Sequence, residues 1–311
     1  MTDIILHHYP TSPFSEKIRL ILAYKKLAWK SVIIPSIMPK PDVVALTGGY
    51  RKTPFMQIGA DIYCDSALIC DQLERIQSRP SLYPAAIEGT ARIVAQWADT
   101  TLFWAAMGHN LSAKGAAQLF AGAPPEALKA FGEDRGKMRG GMVRLSPTDA
   151  TAAYTVYLSR LEAMLEQTTY LLSSEPTVAD FAAYHPLWFT RTCTPVMADI
   201  LLAAPRVLAW MDRLAAIGYD NPEKFNATGA IALAARSTPL TVSTNAFQDA
   251  LGIPVGSTVS IAAESFGAET TEGELLSVTA NETIVRRHDE RAGTLHVHFP
   301  RVGYVLKVTA D

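Results

Sequence analysis

Apolar positions along this chain follow three successive patterns. Up to residue 84, short apolar runs alternate with stretches of helical period. Ile4 to Leu6 is a strand-like run that ends at the turn cluster Tyr9-Pro10-Thr11-Ser12-Pro13. Ser12 then suits a helix N-cap and Pro13 the first helical position, with Phe14, Ile18, Ile21 and Leu22 on one face. Trp29 to Ile34 reads as a second strand, and 35–52 as a loop with at most a short helix. Phe55 to Ile58 and Ile62 to Cys64 read as a hairpin across Gly59-Ala60-Asp61, followed by a helix over Ser66 to Ile76. From Glu88 to about Ile217 the period is helical. Ile93, Trp97, Thr100, Thr101 and Trp104 would share one face, and Tyr154, Tyr157, Leu158, Leu161 and Leu165 another. Between them, 111–148 is glycine-rich, with one helix near Glu126 to Phe131, and reads as an insertion. Thr177-Val-Ala-Asp180 has capping-box spacing, and Pro205 opens a further helix. After Arg236 come short alternating runs near Thr241, Val259, Leu275, Thr283, Leu295 and Tyr304. They predict a compact barrel of five or six strands packed on the helical part and supplying no catalytic group. The expected units are thus 1–84, 85–236 and 237–311.

Composition narrows the function classes. The 311 residues are 49% hydrophobic and 19% charged, with a formal net charge of −2. Residues 238–311 hold 5 basic and 9 acidic side chains. This balance argues against nucleic acid as a partner. Cys64, Cys70 and Cys193 cannot form a disulfide framework and lack metal-ligand spacing. Cys64 and Cys70 read as small buried hydrophobes, and the cysteine usage fits a reducing cytoplasm. The first residues have no signal-peptide pattern, and no apolar run of about 18 residues lacks charge, so no membrane span is expected.

Three local features carry candidate chemistry. The helix N-terminus at Ser12 offers unpaired N–H groups and a hydroxyl, which favours an anion. Thr53-Pro54 precedes a strand, where a cis bond would expose the backbone of Thr53 to an extended ligand. Asp65-Ser66 opens the next helix, where N–H groups and the serine hydroxyl can hold a carboxylate and Asp65 an amine. One site would then take an extended peptide with a thiolate and a zwitterionic end.

Together these segments resemble the glutathione transferase family. Ser12-Pro13-Phe14 with Lys17-Ile18-Arg19 is similar to the first-helix motif of its serine-type classes, nearest the tau-like pattern. Lys52-Thr53-Pro54-Phe55 and Asp65-Ser66-Ala67-Leu68-Ile69 resemble its glutathione-binding signature, and Thr177 to Asp180 its helical-domain capping box. The resemblance implies a multi-domain α+β fold: a thioredoxin-like α/β domain that binds glutathione as co-substrate, then an all-helical domain with a hydrophobic second pocket. It implies Ser12 as the hydroxyl that stabilises the thiolate, with Tyr9 as its rival, and Phe14 beside it. Thr53 would bond the cysteinyl backbone, Pro54 would be the cis-proline, and Asp65 and Ser66 would hold the γ-glutamyl end. Lys40 would reach the glycyl carboxylate, with Arg51 and Lys52 as alternatives. A homodimer and a small hydrophobic electrophile or peroxide complete the picture. The β-rich unit after Arg236 is outside the common family architecture. The rival functions are a non-catalytic scaffold or ligand carrier, and a glutathione-dependent lyase or isomerase.

Other residues read as structural. Phe103, Trp104 and Met107 are expected in the bundle core rather than on a pocket wall. His296 and His298 are expected on an exposed strand face rather than at a metal, and His7 and His8 merely flank the first strand.

Overall fold

The computed structural model describes residues 3–219, 221–242 and 250–309. Strand β1 (Ile4–His8) leads into α1 (Pro13–Tyr24), β2 (Lys30–Ile33) and the short α2 (Pro41–Thr47). The hairpin β3 (Phe55–Ile58) and β4 (Asp61–Cys64) follows, then α3 (Ser66–Ile76). β1 pairs parallel with β2 and antiparallel with β3, which pairs antiparallel with β4. This is a thioredoxin-like α/β unit. The sequence signals hold locally: Ser12 caps α1 by accepting from the Ser15 N–H, Pro13 is its first residue, and Asp65 caps α3 through the Ala67 N–H.

The helical unit starts at α4 (Glu88–Trp97), which runs through a π turn at Ala98–Leu102 into α5 (Phe103–Asn110). Here the expected face is wrong. Ile93 is 70% exposed, whereas Ala91, Ala95, Ala98, Leu102 and Ala105 are buried. Small alanines let the neighbouring helix approach closely, and the π turn shifts the phase beyond it. The insertion carries two helices, α6 (Ala113–Leu119) and α7 (Pro125–Arg139). The bundle closes with α8 (Pro147–Met164), α9 (Val178–Trp188) and α10 (Pro205–Ala215). Tyr154, Leu158, Leu161 and Leu165 are buried as their spacing requires. Asp180 accepts from the Thr177 N–H at 2.8 Å, and also from Leu171 N–H and Trp210 Nε1, so the capping box ties three elements together.

The last unit departs most from expectation. After β5 (Glu223–Phe225) and α11 (Ala227–Arg236) come β6 (Thr258–Ala263), β7 (Thr271–Val278), β8 (Glu282–Asp289), β9 (Gly293–Pro300) and β10 (Tyr304–Val308). The run sought at Thr241 to Ser243 lies partly outside the described residues, and Thr241 and Val242 are irregular. Among the described residues the sheet does not close into a barrel and runs in the order β10-β6-β7-β8-β9-β4-β3-β1-β2-β5. β9 pairs parallel with β4, setting Asp61 opposite His296 and Tyr63 opposite His298. The unit therefore docks mainly on the thioredoxin-like sheet and meets the helical unit through its β6–β7 connection, at Phe266 and Gly267. The reason is the bare β4 edge, whose backbone groups need partners once buried. Ile62 and Cys64 share a core with Val285, Leu295, Val297 and Phe299, covered by α2 and α11. At the other end, β5 pairs parallel with β2. Sequence patterning missed that three-residue strand.

Candidate active site

A cavity of about 620 Å³ opens between the three units. Ser12, Phe14, Lys40, Thr53 and Asp65 all line it; Pro54 and Ser66 do not, though each directly follows a lining residue. Ser12 is 2% exposed. Its oxygen accepts the Ser15 N–H at 3.2 Å, which leaves its own proton to donate. The rival Tyr9 also lines the cavity, but its hydroxyl accepts from Arg135 Nη2 of α7 at 3.3 Å. The Thr53-Pro54 peptide is cis.

Asp65 has φ +78°, a left-handed conformation uncommon outside glycine, which its capping role holds in place. Its Oδ1 accepts the Ala67 N–H at 3.0 Å, and its Oδ2 accepts the Tyr304 hydroxyl at 2.9 Å. Behind it, Ser66 Oγ accepts from Lys17 Nζ at 3.3 Å. Lys17 Nζ in turn meets Asp99 Oδ2 at 2.6 Å, and His185 Nε2 meets Asp99 Oδ1 at 2.9 Å. Burial pulls the Lys17 ammonium down, yet the charges of Asp99, Cys70 and Asp65 and the hydrogen bond to Asp99 together outweigh it, and its pKa sits above the usual value. Burial likewise raises the Asp99 carboxyl, but Lys17 and His185 carry it below the usual range. A buried cation is thus fixed beside Ser66.

Lys40 Nζ donates to the Arg51 carbonyl at 3.2 Å. Burial, then the charge of Arg135, pulls its pKa down to about 8. Arg51, the expected alternative for a ligand carboxylate, is committed elsewhere. Its guanidinium pairs with Asp134 of α7 and Glu269 of the β6–β7 connection. Lys52 stands over the rings of Tyr50 and Tyr304, 3.7 Å from Asp65 Oδ2.

Residues 6–81 match the family described as Glutathione S-transferase, N-terminal domain, and 152–213 match Glutathione S-transferase, C-terminal domain. A GST-like protein from Pseudomonas syringae, known from its crystal structure, is 39% identical, with TM-score 0.83 over 99% of this chain and 100% of that one. The chain belongs to the glutathione S-transferase family. The Tau class glutathione S-transferase of mango, Mangifera indica, is 16% identical, with TM-score 0.52 over 69% of this chain and 89% of its own. A glutathione S-transferase from Methylobacillus flagellatus KT with glutathione bound is 18% identical, with TM-score 0.50 over 68% and 95%. These two show the shared fold alone. No curated protein matches the sequence.

The aromatic end of this family member's cavity corrects a second expectation. Phe103, Trp104 and Met107 line the cavity rather than only the bundle core. Phe14 packs on Phe103 at 4.7 Å, Phe103 on Trp104 at 5.0 Å, and Trp104 on Phe266 at 5.0 Å. Phe266 comes from the β6–β7 connection, and Phe131 and Met138 from the insertion. The two additions meet there, where the Gly267 N–H donates to the Met138 carbonyl at 2.7 Å.

Asp99, Arg135, Phe266 and Tyr304 escaped the sequence reading as site residues, and Lys17 entered it only as part of the first-helix motif, with no role. Lys17 had a signal, since it lies three residues from Phe14 and so on the same helix face. Asp99 lies four before Phe103, but the π turn hid that relation. The histidines differ from expectation too. His298 is 5% exposed and His7 and His8 are buried within β1. Burial holds His7 near pKa 4 and His8 near 3, so both are neutral structural rings. Cys64 and Cys70 are buried, and burial pushes the Cys70 thiol up to about 12.

Proposed function

We propose that this protein is a glutathione transferase of the serine type, nearest the tau-like pattern. It binds glutathione as co-substrate and directs its sulfur at a small hydrophobic electrophile or peroxide. The observation that carries the reading is the Ser12 hydroxyl, held at the N-terminus of α1 on the cavity wall with a proton free to donate. A hydroxyl and a helix N-terminus both favour the thiolate over the thiol. Thr53 offers its backbone to the cysteinyl part, Asp65 takes the γ-glutamyl ammonium, and Ser66 takes the adjoining carboxylate, with Lys17 supplying positive charge behind it. Lys40 takes the glycyl carboxylate. The aromatic cluster of Phe14, Phe103, Trp104 and Phe266 holds the electrophile and excludes water. In conjugation the sulfur forms a bond to carbon as the leaving group departs with its electron pair. The thiol proton has already passed to solvent.

The test is a pH titration of the thiolate ultraviolet absorbance of glutathione bound to the protein, run beside turnover of a general aryl electrophile. A bound thiol ionised near neutral pH, with turnover, supports the transferase. Binding with the thiol still protonated and no turnover would leave a ligand carrier instead.

A further inference from the structure

We propose that Tyr304, on the last strand of the C-terminal sheet, is a positioning residue of the glutathione site that holds the Asp65 carboxylate open to the ligand's ammonium group. The inference rests on the glutathione reading above and extends it, because it makes the added strands a working part of the site.

β10 is the terminal strand of the ten-stranded sheet, far in sequence from the glutathione motifs. Tyr304 nevertheless points inward. It is 6% exposed, packs on Phe299 at 5.4 Å and lines the cavity. Its hydroxyl donates to Asp65 Oδ2 at 2.9 Å, while the Ala67 N–H donates to Oδ1 at 3.0 Å. The Asp65 backbone N–H donates to the Tyr50 hydroxyl at 3.0 Å, so the residue is fixed by its own helix α3, by β10 and by the loop after α2. Burial holds the phenols of Tyr50 and Tyr304 well above their usual pKa, and Tyr304 remains a donor across the working range.

The consequence turns on Lys52. Its ammonium sits 4.8 Å from the Tyr304 ring centre and 5.5 Å from that of Tyr50, and forms a loose ion pair with Asp65 Oδ2 at 3.7 Å, beyond hydrogen-bond contact. Each carboxylate oxygen has spent one lone pair on a fixed neutral donor and keeps another. The carboxylate side chain is 27% exposed, so an incoming ammonium can reach the remaining pairs. Without the Tyr304 hydroxyl, Asp65 keeps its charge but is free to turn about the Ala67 bond. Lys52 then closes from 3.7 Å to hydrogen-bond distance of Oδ2, and the tightened internal ion pair competes with the ligand's amine. The hydroxyl thus keeps the protein's own lysine from hydrogen-bond contact and favours ligands that bring an ammonium, as a γ-glutamyl group does.

Tyr304→Phe keeps the ring and the cation–π contact and removes only the donor. Calorimetric titration of parent and variant with glutathione, and with the analogue that has hydrogen in place of the γ-glutamyl amino group, tests the idea. Tyr304→Phe is expected to weaken glutathione about ten-fold, the scale of one charge-assisted hydrogen bond. The amine-free analogue should change by less than about two-fold, and in turnover the loss should fall on KM. Adding Lys52→Met to Tyr304→Phe should restore most of the affinity by removing the competitor. Unchanged or tighter glutathione binding in Tyr304→Phe overturns the proposal, as does an equal loss for both ligands, which would mark a merely structural role. A parent protein that binds neither ligand overturns the glutathione reading itself, and this inference with it.

Discussion

The guanidinium of Arg51 donates from Nη1 to Asp134 Oδ1 at 2.6 Å, inside the protein and across 83 positions of sequence. Arg51 stands just before the Lys52-Thr53-Pro54 segment, and Asp134 belongs to the insertion helix α7. The same side chain pairs through Nε with Glu269, so one arginine fastens the insertion and the C-terminal strands to the edge of the cavity. Asp134 also accepts from the Met38 N–H at 3.3 Å and pairs with Arg135. Burial raises its carboxyl, but the Arg51 hydrogen bond and these donors bring it below the usual range.

Arg51→Met should therefore loosen the roof of the site without emptying it. Asp134 keeps Arg135 and the Met38 N–H, so the expected cost is about 1–3 kcal/mol, that of a buried polar group losing part of its partnership. Urea unfolding measures this cost. Limited proteolysis should also cut within 111–148 faster than in the parent. A variant as stable and as resistant as the parent would show that α7 is held by its apolar contacts alone.

Ser12→Ala separates the cap from the chemistry. Loss of the cap should cost about 1 kcal/mol of stability. Loss of a donor to a developing or bound anion should lower kcat/KM on a general electrophile about 10²-fold. Glutathione affinity should change by less than about three-fold, because the grip comes from Thr53, Asp65 and Ser66. Tyr9→Phe serves as the comparison and should retain most of the turnover. If the two variants exchange these outcomes, Tyr9 is the thiolate partner.

Lys40 makes the affinity for glutathione depend on pH in a readable way. Burial and Arg135 depress its pKa to about 8, so its positive charge is present below that value and lost above it. A ligand carboxylate held by this ammonium binds evenly at lower pH and weakens as the pH passes about 8. S-methylglutathione is the right probe, since its sulfur cannot ionise. Lys40→Met should bind it about five- to ten-fold more weakly near neutral pH. It should also lack the extra fall above pH 8 that the parent shows once the ligand's own amine is allowed for. Parallel curves for the two proteins would remove Lys40 from the ligand.

Much of the N-terminal unit was legible because its signals are local. Ser12 and Pro13 start α1, and the expected helix over Ser66 to Ile76 has the observed bounds. The strands after residue 257 were legible for a similar reason, since residues such as Val259 and Ile261 alternate with polar neighbours. What alternation cannot give is the strand next door. β4 carried a clue, because all four of its residues, Asp61 included, are buried, as befits a central strand. A four-residue run is too short to announce that in sequence. The part played by Tyr304 was hidden for the same reason: its face in the strand could be read, but not that Asp65 lies across from it.

The last prediction concerns the seam between β4 and β9. His298 Nε2 lies 3.0 Å from Asp61 Oδ1, and its Nδ1 lies 2.9 Å from Glu282 Oε1. Two carboxylates on opposite sides call for two N–H donors, which only the imidazolium supplies. Burial works against that cation, but hydrogen bonds to Asp61 and Glu282 outweigh it, and the pKa of His298 lies above its usual 6.5. Burial similarly raises Glu282, yet His298 brings it below its usual 4.5. A raised histidine pKa contributes stability that is complete below 6.5 and is lost as pH rises through the folded value. A depressed glutamate pKa contributes stability that is present above 4.5 and is lost as pH falls through its folded value. The bridge is therefore strongest between these limits. His298→Gln should cost about 3 kcal/mol near pH 5.5, as expected when one partner of a buried ion pair is removed. The gap between parent and variant should narrow as pH rises from 6.5 through the folded pKa of His298, and again in acid. Taking the difference also cancels His7 and His8, which are buried as neutral rings and weaken the fold with the opposite sign as pH drops below 6.5. Urea unfolding at a series of pH values gives the difference curve directly. A gap that stays constant from about pH 5.5 to about pH 9 would mean that His298 is neutral in the folded protein and that backbone pairing and packing, without the ion pair, hold the two halves of the sheet together.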